Sequence, residues 1–365
     1  MVLAVLAMFD PSKLIPKVGN YAIAPSGAVT DLTLMDVATQ YETQVSRKMI
    51  ALIPEQIPKR FAGSDQVLAT IKVDGEGVFV YFERDQGLFA FNAPSGRVRV
   101  GLPALDALQI HLQASSIQKA LFRAELYLPK LEGQRRPGIA AVLRTSFSGA
   151  AAEIANLRFL ILDVIMLDGR DLRPQQSQFQ LTWKLLEDLF GSDSGTLFHR
   201  PQGSLVLESQ LPDFFERIVQ AGEEGIVIRR LDRAEICKIK PRLTLDAAII
   251  GFVEGEYEGQ YGVTSILIAM TYPYREEPIT LQTLLRVGSG MTDEQRAEFL
   301  RLFSPLVVDS PITITDPEGR PVSFIRPDYI VEINAEDLSP TVPGSDAQIG
   351  LRYWNGIHKT IAIVS

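Results

Sequence analysis

Apolar and polar positions change period several times along the chain, and the sharpest change falls between residues 66 and 82. Val67, Leu68, Ala69 and Ile71 form one apolar run, Val78, Phe79, Val80, Tyr81 and Phe82 a second, and Lys72-Val73-Asp74-Gly75-Glu76-Gly77 lies between them. Two such runs around a glycine-containing turn predict a hairpin with Lys72 near its turn. Further apolar runs predict strands over 120–128, 157–167, 225–230 and 235–240, and helical spacing predicts helices over 105–113, 183–190 and 213–221, with a shorter one over 32–43. From residue 247 the texture turns to strands: 247–253, 265–271, 279–287, 321–325, 329–333 and 360–364. One helix interrupts them, opened by the capping box Thr292-Asp293-Glu294-Gln295.

The pattern divides the chain into three. Residues 1–55 carry Pro11, Pro16, Pro25 and Pro54 and read as an N-terminal extension of unknown role, 56–245 as a mixed α+β domain, and 246–365 as a small Greek-key barrel of the OB type. A length of 365 residues suits about two or three domains, and 46% hydrophobic with 22% charged residues gives material for sizeable cores. A net charge of −8 and a pI near 5.1 exclude a protein that coats nucleic acid by charge alone. A local patch stays open, with Lys119, Arg123, Lys130, Arg135, Arg136 and Arg144 its candidates. The single cysteine, Cys237, excludes an intramolecular disulfide, and His111, His199 and His358 have no zinc-ligand spacing. A reducing, cytoplasmic setting is therefore expected. The apolar opening from Met1 to Phe9 is short, lacks a cationic start and runs into Asp10-Pro11, so core packing is expected of it rather than a signal peptide or membrane span.

Lys72 is the candidate nucleophile. An amine with a free pKa of about 10.4 must be pushed down by burial and neighbouring cations before it attacks near neutral pH; the plain alternative is an exposed hairpin lysine. Four more stretches bear on the choice. Ala124-Glu125-Leu126-Tyr127 sets one carboxylate among apolar strand residues, and 159–169 is a long apolar strand with Asp163 and Asp168. Glu224-Gly225-Ile226-Val227-Ile228-Arg229 follows, then Cys237-Lys238-Ile239-Lys240-Pro241, where period-two alternation sends both lysines to one face. Read singly, Glu125 is an edge-strand carboxylate and the lysines a solvated face. Asp163 and Asp168 read as caps or turn formers, His199 as a loop residue and Cys237 as a packed small hydrophobe.

In this order the stretches resemble the motif set of the covalent nucleotidyltransferases: ATP-dependent DNA ligases, RNA ligases and mRNA capping enzymes. The resemblance covers roughly residues 65 to 335. It implies that Lys72 takes AMP from ATP and releases pyrophosphate, and that Glu125 and Glu224 hold the ribose and a divalent metal, Mg2+ or Mn2+. By the same resemblance Lys238 and Lys240 contact phosphates, Thr70 and Ile71 meet the nucleotide, Val227 covers one adenine face, Leu162 stands at the other, and Arg97 grips phosphate. The stretches 285–293 and 324–333 look like OB-domain signatures of DNA ligases. The implied substrate is nicked duplex DNA, joined 3′-OH to 5′-phosphate, with RNA as the alternative; a monomer without a membrane partner is implied.

Three positions depart from the family pattern. DNA ligases usually have arginine where this chain has Gly77, an aromatic ring where it has Leu162, and a basic C-terminal cluster of which Leu351–Lys359 keeps only the beginning, with Arg352 and Lys359 as substitutes. An RNA ligase, a capping guanylyltransferase and a ligase-like binding module without turnover are the competing readings.

Overall fold

In the computed structural model the described residues are 8–63, 66–132, 136–173, 179–191, 193, 196–231, 235–271, 280–310, 312–335, 351–355 and 360–364. They fall into two compact units, Met1–Pro241 and Arg242–Ser365.

The first unit mixes helices with two sheets. Along Glu76–Glu83, Val78, Val80 and Phe82 point to one face and Phe79 and Tyr81 to the other, and all five are buried. Both faces must therefore be covered. Leu105, Leu108 and Leu112 of helix Pro103–Ala114 pack on the first face, and Leu34, Ala38 and Tyr41 of helix Leu32–Gln44 on the second. This sheet runs Ile15–Val18, Tyr21–Ala24, Val98–Val100, Gly87–Phe91, Glu76–Glu83, Lys119–Tyr127, Arg158–Leu167 and Arg170–Asp171, with Phe198–His199 parallel to Arg158–Leu167. The second sheet runs Gly203–Leu207, Gln66–Lys72, Gly225–Arg230, Ile236–Ile239 and Ile50–Leu52.

The described residues 8–55 of the segment 1–55, read from sequence as an extension, thus contribute strands to both sheets and a helix to one face. Their strands are three or four residues long, too short to show a period-two signal.

The expected Lys72 hairpin does not form. Gln66–Lys72 pairs with Gly203–Leu207 and Gly225–Arg230, whereas Glu76–Glu83 pairs with Gly87–Phe91 and Lys119–Tyr127. The chain crosses from one sheet to the other over Val73–Gly75, which leaves Lys72 at the seam. Gly75 permits the crossing, because a Cβ there would overlap the Leu126 carbonyl and stand 2.9 Å from Glu125 Cγ.

The second unit pairs its strands in the order Ser323–Phe324, Leu243–Tyr257, Gln260–Thr271, Thr280–Val287, Leu351–Asn355 and Thr360–Val364, with Ile330–Ala335 also on Leu243–Tyr257. Helix Asp293–Phe303 starts at the predicted capping box, Thr292 Oγ1 accepting the Gln295 N–H at 3.2 Å and Gln295 Oε1 the Thr292 N–H at 2.9 Å. A strand-rich unit with one long helix is as expected; among the described residues, however, the pairing does not close into a barrel.

Candidate active site

Lys72 ends its strand directly opposite Gly225, so Glu224 comes within reach of its amine. Lys72 Nζ donates to Glu224 Oε2 at 2.7 Å, and Lys240 Nζ lies 2.7 Å from Glu224 Oε1. One carboxylate thus bridges two lysines. The Lys72 and Glu224 side chains are 20% and 15% exposed, so the pair is shielded without being sealed. Sequence reasoning expected cations around Lys72; its direct partner is a carboxylate.

Burial shapes the neighbouring acids. Glu125 is pushed up to about 7, mainly by desolvation, with Arg123 and then Lys72 opposing and Glu224 adding to the rise. Asp74 is also raised, first by burial and then by Glu224. Its carboxylate accepts the Ile139 N–H at 3.2 Å, at the start of helix Ile139–Ser148, which ties the crossover to that helix.

Beside this chain of charges lies a cavity of about 250 Å3. Thr70, Ile71, Lys72, Glu125, Leu162, Val227 and Lys238 line it, seven of the residues proposed from sequence. Strand register explains the grouping: Thr70 faces Val227, and Val227 faces Lys238 on the next strand. Thr70 Oγ1 donates to the Val227 carbonyl at 3.3 Å. Arg97 is not on this wall. It lies 3.9 Å from Glu76 and 5.0 Å from the Phe147 ring centroid, beside a fully buried Arg99 that holds the other Glu76 oxygen at 2.5 Å.

Other wall residues were not anticipated. Tyr41, Glu42, Ser46 and Met49 come from the N-terminal segment, and Phe179 and Trp183 from helix Phe179–Leu189. Their signal was weak because Tyr41, Phe179 and Trp183 read as ordinary packing residues of helices, and Glu42, Ser46 and Met49 stand in no motif that sets them apart. Asp163, read as structural, accepts from Tyr41 Oη at 2.8 Å and lies 3.7 Å from Arg229, whose guanidinium stacks 4.0 Å from the Phe179 ring centroid. That buried network anchors the wall. His199 is no loop residue: it is buried on its short strand, with Nε2 2.6 Å from Tyr127 Oη. Cys237 is buried as expected. His358 and Lys359 lie outside the described residues.

A strand-end lysine bridged through a carboxylate to a second lysine thus lies beside a cavity at the seam of two sheets, in a unit of mixed helix and sheet. No family model matches the chain. Among curated proteins it is 26% identical to the DNA ligase of Thermococcus fumicolans over 296 residues, 78% of this chain and 50% of that protein. It is 26% identical over 217 residues to the multifunctional non-homologous end joining protein LigD of Mycolicibacterium smegmatis, 56% of this chain and 26% of that protein. The chain spans about half the length of the first of these relatives, and less of the second. A solved structure described as Pmar-Lig_PreS3 shares the fold, with a TM-score of 0.52 at 12% identity over 80% of this chain and 70% of that one. The ligase domain of M. tuberculosis LigD matches at 22% identity and a TM-score of 0.41, over 81% of this chain and 90% of that one. The chain is related to the DNA ligases, and the resemblance read from its motifs holds.

Proposed function

We propose that the chain is an ATP-dependent DNA ligase that seals nicks, 3′-OH to 5′-phosphate, through a covalent lysine–AMP intermediate on Lys72. The observation that carries this reading is the Lys72–Glu224–Lys240 bridge, 2.7 Å at each contact, beside a cavity that Lys72 helps to line. Lys72 Nζ attacks the α-phosphorus of ATP, the bond to the pyrophosphate oxygen breaks, and a phosphoramidate forms. The ammonium must first release a proton, and Glu224, its hydrogen-bond acceptor, is placed to receive it. Lys238 and Lys240 supply charge for the crowded phosphate of the transition state. Thr70, Ile71, Val227 and Leu162 bound the base. AMP then passes to a 5′-phosphate, and the 3′-OH displaces it.

The resemblance also implies Mg2+ or Mn2+. Such ions take one or two carboxylates and keep water and phosphate oxygens, so a three-ligand cluster is not needed, and none occurs among the described residues. Glu125 fits: it is desolvated and has no ion-pair partner among the described residues. Glu224 fits less well, because both of its oxygens already meet lysines. We therefore assign Glu125 as the main metal-holding carboxylate and Glu224 chiefly to the amines. The bound ion would neutralise phosphate charge.

The Met1–Pro241 unit is read as the adenylation module and the Arg242–Ser365 unit as an OB-type module for the nucleic-acid backbone, on its strand-rich make-up and the stretches 285–293 and 324–333. No helix of the described residues is long and apolar enough to cross a membrane. A monomer acting in the cytoplasm completes the reading.

Incubation with labelled ATP and magnesium, followed by denaturing electrophoresis, tests the first step, and joining of nicked DNA against nicked RNA tests the substrate. Label on the wild-type chain with preferential sealing of DNA is expected. Absence of covalent label would end the ligase reading.

A further inference from the structure

Arg123 stands two residues before Glu125 on the Lys119–Tyr127 strand, and both side chains line the cavity with Lys72 and Lys238. Its guanidinium is fixed in place. Nη1 donates to the Val78 and Ala124 carbonyls at 3.0 and 2.6 Å, and the group lies 5.3 Å from the Phe79 ring centroid. Nε is 3.5 Å from the Glu42 carboxylate, and Nη2 makes no hydrogen bond among the described residues. The side chain is 11% exposed.

Residue 77 decides whether this arrangement exists. Gly77 faces Glu125 across the strand pair, and a Cβ on it would overlap Arg123 Nη2 and stand 2.8 Å from Nη1. The space next to the cavity where a side chain at 77 would begin is filled instead from the neighbouring strand.

We infer that Arg123 is a phosphate-binding residue of this cavity, carried into the space that Gly77 leaves open. A guanidinium keeps its charge at any working pH, and two carbonyls stop it turning away, so its remaining donor is held ready for an anion. Glu42 balances the charge without a hydrogen bond, since its buried Oε2 has none. A phosphate oxygen supplies both the charge and the acceptor that Nη2 lacks. The inference rests on the nucleotide reading of the cavity. The phosphate belongs either to the nucleotide or to the 5′ end of a strand.

The test uses the full chain in two arms: self-labelling as a function of ATP concentration, and joining of a nick that already carries AMP on its 5′-phosphate. Arg123→Gln keeps a side chain that can donate to the Val78 and Ala124 carbonyls and removes the charge. It should raise KM by about tenfold or more in at least one arm with little change in melting temperature, and Arg123→Lys should recover part of the loss. A loss in the labelling arm assigns the nucleotide phosphate, and a loss in the joining arm the 5′-phosphate. Gly77→Ala should mimic Arg123→Gln, and the double variant should be no worse than Arg123→Gln alone, because both act through one space. Wild-type KM in both arms, or losses that add in the double variant, would overturn the inference. Equilibrium binding of ATP and of a 5′-phosphorylated oligonucleotide keeps the two readings apart. Binding sensitive to Arg123→Gln in a chain that never takes label supports Arg123 and removes only the ligase reading.

Discussion

Lys72 is held to Glu224 at 2.7 Å, and the other oxygen of that carboxylate meets Lys240 at the same distance, so the proposed chemistry stands on a few single side chains. Lys72, Glu125, Glu224, Lys238 and Lys240 were legible because a charge within or beside an apolar strand demands a reason, and all five come together around one bridge and one cavity. Lys72→Ala should abolish covalent AMP labelling, while sealing of a pre-adenylylated nick falls less; label retained on the variant would move the nucleophile elsewhere. Glu125 makes a prediction about pH. Its folded value, about 7, lies above the ordinary 4.5, so between those values the folded chain holds the extra proton and stability falls as pH rises. Above about 7 the cost of the buried charge is fully present. Glu125→Gln should therefore melt a few degrees higher than wild type well above pH 7 and the same as wild type near pH 4, while losing activity. Equal melting at both pH values would show that Glu125 ionises freely. Arg123 was named from sequence only as a member of a basic patch; its place in the cavity was hidden, because the clue to it is a glycine on another strand and strand register is not written in either segment.

Elements were read better than their partners. The helices over 105–113, 183–190 and 213–221 and the main strands of the first unit form within a few residues of their expected ends. The Lys72 turn was misassigned because two apolar runs around a glycine look the same whether the strands pair with each other or with distant strands of two sheets. That difference creates the site, since a hairpin would have no seam. The missing aromatic at Leu162 is answered at this scale too. Helix Phe179–Leu189 brings Phe179 and Trp183 to the cavity wall that Leu162 also lines, and Trp183 carries the Arg200 guanidinium 4.6 Å from its ring centroid. Base–aromatic stacking is worth about 1–3 kcal/mol, so Trp183→Ala should raise the KM for ATP by about 5- to 150-fold if this ring meets the base. Titrating self-labelling with ATP checks it, and an unchanged KM would leave Trp183 as packing against Arg200.

At the scale of the whole molecule the proposed function asks how a chain of net charge −8 would hold a polyanion. The basic patch proposed from sequence is largely engaged within the protein. Lys130 and Arg136 both pair with Glu223, Arg123 lies against Glu42, and Lys119 stacks over Tyr81; Arg135 lies outside the described residues. Spacing along a sequence shows that cations are near one another but not which carboxylates from distant elements meet them, and Glu223 is more than eighty residues away from both of its partners. Each phosphate neutralised on duplex DNA steepens the slope of log K against log salt by about 0.9. With these cations occupied, binding of nicked duplex should give a slope shallower than about −4, corresponding to fewer than about five neutralised phosphates. Self-labelling by ATP should respond to salt far less, because its charges sit in a shielded cavity where screening is weaker. Binding titrations between low and moderate salt decide the matter. A slope of about −6 or steeper would require an extended cationic face, and charge reversal of exposed lysines in each unit in turn would then locate it.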